Sequence, residues 1–158
     1  MFLPKGLEMH NFESVTDILE FAISEEMAAW SFYNQMAQKA KNPEIKKTFE
    51  QFALEEKAHR QKLEDIKGFA EAFRPETVTD MKIAECLVPV EPTPNMDYQA
   101  AITYAMKKEA TAMKLYTLLA AMTTEPKLKD VFEALANEEA KHKLRFEKEY
   151  EEEILKED

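Results

Sequence analysis

Shifted by 83 residues, the second half of this chain repeats the first without a gap. Fourteen identities line up. Ala22 meets Ala105, Glu26 meets Glu109, Ala29 meets Ala112, Tyr33 meets Tyr116 and Ala37 meets Ala120. Pro43, Lys46, Phe49, Glu50 and Ala53 meet Pro126, Lys129, Phe132, Glu133 and Ala136. Glu55-Glu56, His59 and Glu64 meet Glu138-Glu139, His142 and Glu147. Two copies are too few, and the period too long, for a solenoid. Two copies of one helical hairpin predict a pseudo-twofold all-α bundle instead.

Periodicity supports helices. Four segments, at about 15–41, 43–73, 97–122 and 126–155, carry helical spacing. Ser14 with Asp17 three residues on marks a helix start. Asn42-Pro43 both stops one helix and opens the next, since asparagine caps well and proline suits the first turn. Glu125-Pro126 opens the fourth. The second helix must end before Pro75. The stretch 74–96 holds Pro75, Pro89, Pro92 and Pro94 and reads as a crossover, with room for a short helix at about 79–87. Tight turns within each half and one long connection between them predict a single-crossover four-helix bundle. The chain's 158 residues read as one domain. Two glycines in all speak against glycine-loop nucleotide sites and β-turn-rich folds.

A net charge of −10 disfavours nucleic acid and anionic membranes as partners. One cysteine, Cys86, excludes an internal disulfide and fits a reducing compartment. Met1 to His10 has no apolar core of signal-peptide length, and no run approaches the roughly 20 residues of a membrane span. The expectation is a soluble, cytoplasmic protein.

The repeated polar residues carry the chemistry. Glu26 precedes the first turn, and Glu56 follows it, by similar lengths of helix. At about 1.5 Å per residue both stand roughly 20 Å from that turn. Glu109 and Glu139 stand in the same relation to the second turn. Glu56-x-x-His59 and Glu139-x-x-His142 share a helix face at i and i+3. Two such pairs plus one glutamate from each other helix form a dimetal carboxylate pattern. Four carboxylates balance two divalent cations, which brings a buried site close to neutral. Oxygen-rich ligation with some imidazole suits iron or manganese and tolerates zinc.

Four segments carry a family resemblance. They are Ala22-Ile-Ser-Glu-Glu26-Met-Ala-Ala-Trp-Ser-Phe-Tyr33, Glu55-Glu56-Lys-Ala-His59, Ala101 to Glu109 and on to Tyr116, and Glu138-Glu139-Ala-Lys-His142. Over about 12–150 the chain resembles the rubrerythrin branch of the ferritin-like superfamily. The resemblance implies that Glu26, Glu56, His59, Glu109, Glu139 and His142 are ligands of two iron ions, with Glu56 and Glu139 as bridges. It implies reduction of hydrogen peroxide or dioxygen, with a homodimer as the family-level assembly. It has two departures. Rubrerythrins proper place a second glutamate one turn past the third-helix ligand, where this chain has Ala112; that carboxylate is tied to the peroxidase cycle. The paired Cys-x-x-Cys electron-transfer domain is also absent from this sequence, so electrons must come from a rubredoxin-like or flavin reductase partner. Ferrous-iron oxidation, binding or sensing without a cage is the alternative.

Other residues have plainer readings. Tyr33 and Tyr116, two turns past a ligand glutamate, either hydrogen-bond a ligand or pass an electron, or else fill the core. Trp30 reads as core packing or as a support behind the ligand Glu26, whose face it shares; Met27, Met36, Met106, Met113 and Met122 read as core filler. Glu55 and Glu138 read as solvated, Cys86 as inert packing, and His10 has no assigned role.

Overall fold

The computed structural model describes residues 14–68 and 96–155. They form four long helices: α1 Val15–Lys39, α2 Pro43–Lys67, α3 Tyr98–Met122 and α4 Pro126–Glu149, the last followed by a π-helical turn, Tyr150–Ile154. No strand occurs among the described residues, so the fold is all-α. The crossover, its expected short helix, Cys86 and His10 lie outside the described residues. Two compact units result, one carrying α1 and α2, the other α3 and α4.

In the first unit the caps expected from sequence are formed. Ser14 accepts from the Asp17 N–H at 3.2 Å, and Asn42 Oδ1 accepts from the Glu44 N–H at 2.8 Å. Each satisfies a donor that a helix start leaves orphaned. The helix expected to run to residue 41 ends at Lys39, because Ala40 turns extended with ψ 130°. Alanine and lysine carry no stop signal of their own, so the end is set by the turn into Asn42. The second helix is described to Lys67, with Gly68 as its C-cap, and 69–73 lie outside the described residues. Pairings between α1 and α2 run in opposite chain directions: Tyr33 stacks on Phe49, Glu26 meets His59, and Glu20 meets Lys67. The hairpin is therefore antiparallel. Ile18, Leu19, Ala22 and Tyr33 are buried from α1, and Phe49, Ala53 and Leu63 from α2. Tyr33 also lies 6.0 Å from Phe52 and 5.6 Å from Phe32, centroid to centroid, within the range where aromatic pairs attract.

The second unit repeats the design with different ends. Asp97 caps α3 by accepting from the Ala100 N–H at 2.7 Å. Glu125 caps α4 more loosely, accepting from the Lys127 N–H at 3.4 Å. Ala101, Ile102, Tyr116, Leu119, Phe132, Leu135 and Phe146 are buried. Where α3 begins, Tyr98 donates its hydroxyl to Glu149 Oε1 at 2.6 Å, and Arg145 reaches Glu149 Oε2 at 3.3 Å. Glu149 is only 5% exposed, so these partners replace the water it has lost. The regular α-helix stops at Glu149, short of the expected end near 155, and widens into the π-helical turn. Tyr150, the first residue of that turn, accepts from Gln99 Nε2 at 3.1 Å through its hydroxyl.

Candidate metal centre

All six expected ligands are buried, at 1–2% exposure each. In the first unit α1 supplies Glu26, and one helical turn of α2 supplies Glu56 and His59. His59 Nδ1 stands 3.4 Å from Glu56 Oε1 and 3.6 Å from Glu26 Oε2. In the second unit α3 supplies Glu109, and α4 supplies Glu139 and His142. His142 Nδ1 stands 3.6 Å from Glu109 Oε1 and 3.9 Å from Glu139 Oε1. Within each trio one donor atom per residue lies within 4.8 Å of the others.

Three of the four spacings suit a shared ion, and the fourth, 3.9 Å, is slightly longer. They are longer than a charge-assisted hydrogen bond, for which about 2.7–2.9 Å is usual. Two ligands each about 2.1 Å from one ion stand roughly 3.0–3.6 Å apart at angles of about 90–120°. Burying two carboxylates per hairpin with no cation costs several kcal/mol per charge by order of magnitude. The two oxygens and one nitrogen of each trio form a donor set suited to iron or manganese. The same nitrogen, Nδ1, turns to the carboxylates in both hairpins, a detail the sequence did not contain.

Tyr33 and Tyr116 are each 1% exposed. Tyr33 sits in a ring cluster with Phe32, Phe49 and Phe52. Met36 and Met122 are buried, as expected of filler. Trp30 and Met27 are not core: they are 37% and 43% exposed. Trp30 does share a face with Glu26, at i and i+4, but that face opens on a cavity instead of packing shut. Glu55 and Glu138 are half-buried, so neither is fully solvated. Arg60, which sequence reading did not single out, lines the same cavity. Its one sequence signal was a departure from the repeat, where Lys143 stands in the second copy.

Helices that bury repeated Glu and Glu-x-x-His sets define an all-α carboxylate–histidine protein of the ferritin-like four-helix class. The family model for rubrerythrin matches residues 17–150, and the chain belongs to the rubrerythrin family. No curated protein and no solved structure gives a significant match. No helix among the described residues is long and apolar enough to cross a membrane.

Proposed function

We propose that the two trios hold two iron ions, and that the iron-loaded protein reduces hydrogen peroxide or dioxygen. The observation behind this reading is the duplicated burial of Glu26, Glu56 and His59 and of Glu109, Glu139 and His142 in a chain of the rubrerythrin family. Glu26, Glu56, His59, Glu109, Glu139 and His142 would hold the ions, and the four carboxylates would cancel the charge of two divalent cations. Bound in the ferrous state, the ions would supply electrons to the O–O bond. The chain's part is to hold the donors and exclude bulk water. The burial of these six residues keeps them in a low dielectric where each electrostatic contact counts for more. Reducing equivalents come from a separate rubredoxin-like or flavin reductase partner, and the protein works as a homodimer in the cytoplasm. Manganese or zinc would fill the same donors with less or no redox function.

Ala112 favours a second reading, oxidation and handling of ferrous iron. One turn past Glu109, it offers a methyl where the peroxidase branch has a carboxylate. One experiment separates the two. Ferrous protein is mixed anaerobically with peroxide, and ferrous iron is titrated in parallel. Rapid peroxide consumption that saturates at two irons per chain supports reduction; continued uptake beyond two supports iron handling. Bulk-rate oxidation unchanged by Glu56→Ala would defeat both.

A further inference from the structure

A cavity of about 180 Å³ lies in the first hairpin beside Glu26, lined by Glu26, Met27, Trp30, Lys57 and Arg60. Its walls combine two chemistries. Trp30 and Met27 offer an aromatic face and a thioether that are substantially exposed. Lys57 and Arg60 offer two cations against the single carboxylate of Glu26. The Arg60 Nε is buried and makes no hydrogen bond.

The unsatisfied Nε is the informative part. Glu64 stands one turn beyond Arg60 on α2. In the second hairpin the same spacing joins Lys143 to Glu147 at 2.6 Å. Arg60 has the same carboxylate within reach along its helix, yet it lines the cavity and leaves a donor buried without an acceptor. A buried unsatisfied donor is costly, so it marks a place where an acceptor belongs. The second hairpin lacks the rest of this lining too. Met27, Trp30 and Lys57 are replaced there by Ala110, Met113 and Ala140. The cavity chemistry is therefore a property of one copy, and the duplicated trio does not require it.

We propose that this cavity binds a small aromatic carboxylate. The carboxylate accepts from Arg60 and is held by Lys57, and the ring lies against Trp30 and Met27. The volume fits, since about 150 Å³ suffices for a benzene ring. Arginine matches a carboxylate in geometry as well as charge. Glu26 forms one wall, so the bound anion would stand directly beside a residue of the candidate metal centre. Binding itself does not depend on the redox reading.

Trp30 is the one tryptophan of the chain, so its fluorescence reports on the cavity. Benzoate titrated into the full-length protein should change that emission saturably in the millimolar range or tighter. Acetate, which lacks the ring, and benzyl alcohol, which lacks the charge, should each bind at least about tenfold more weakly. Arg60→Gln should weaken benzoate at least about tenfold, and Lys57→Gln, at an exposed position, several-fold. Circular dichroism checks that both variants keep their helices, and calorimetry with benzoate checks binding without the fluorophore. No saturable signal by either method, wild-type affinity in both variants, or acetate binding as tightly as benzoate would each overturn the proposal. Iron content and peroxide consumption are read separately, so a failed di-iron reading with intact benzoate binding leaves this site standing.

Discussion

The two hairpins are alike in the middle and unlike at their ends. At mid-height both bury a glutamate from one helix and a Glu-x-x-His turn from the other, with Nδ1 facing the carboxylates. Away from the tight turn, the first hairpin closes with Val15 and Ile66, both buried and apolar. The second puts Tyr98 and Glu149 at those two register positions and joins them at 2.6 Å, with Arg145 behind. Beside the trio, the first hairpin has Trp30, Lys57 and Arg60 where the second has Met113, Ala140 and Lys143. The shared part is what two dications would require. The divergent parts meet local demands, and each is met by a different physical device.

The largest expected effect tests the shared part. Glu56→Ala and Glu139→Ala should each weaken metal retention by more than about 100-fold, and to a similar extent, measured by metal content after dialysis. A large difference between them would break the equivalence of the hairpins. Chelation of the loaded protein should lower its melting temperature, since ligand at about 1,000 times its Kd stabilises by about 4 kcal/mol.

The divergent end is the next test. Tyr98→Phe leaves Glu149 Oε1 without its phenol donor and should cost about 1–3 kcal/mol in denaturant unfolding. Installing the first hairpin's pair, Tyr98→Val with Glu149→Ile, should recover most of that loss, because an apolar pair asks for no partners. The same tyrosine sets a pH dependence. Burial first, then the hydrogen bond to Glu149 and its charge, push the phenol well above its ordinary range. Unfolded tyrosine ionises near about 10 while the folded residue keeps its proton, so the unfolded state binds fewer protons above that pH. The stability held below pH about 10 should therefore fall as pH rises further, and Tyr98→Phe should flatten that decline.

The smallest effect concerns the caps. Asn42→Ala should cost about 1 kcal/mol. Glu125→Ala should cost less, because its cap bond is 3.4 Å against 2.8 Å for Asn42. Thermal unfolding of the two variants side by side would show the difference.

Much of this was legible before any coordinates. The starts of α1, α2 and α4 followed from Ser14, Asn42-Pro43 and Glu125-Pro126, because caps act through bonds to the next few residues. The six candidate ligands followed from repetition at helical spacing. The readings that failed depended on what covers a face. Trp30 and Met27 have the types and positions of core residues, and spacing could not show that a cavity opens there. Glu149 occupies a core position in the repeat, where the first copy has Ile66, and its partner Tyr98 is 51 residues away. The widening of α4 into a π-helical turn at Tyr150 had no residue signal.

The amino-acid order by itself determined the helices, their antiparallel pairing within each half and the residues offered to metal, since propensity, capping and periodicity act over a few residues. Tertiary structure alone decided which imidazole nitrogen faces the carboxylates, that the Arg60 Nε is buried without a hydrogen bond at the cavity Trp30 lines, and that a buried glutamate is matched by a distant phenol. These depend on side chains brought together from separate helices, and no local rule along the chain encodes such meetings.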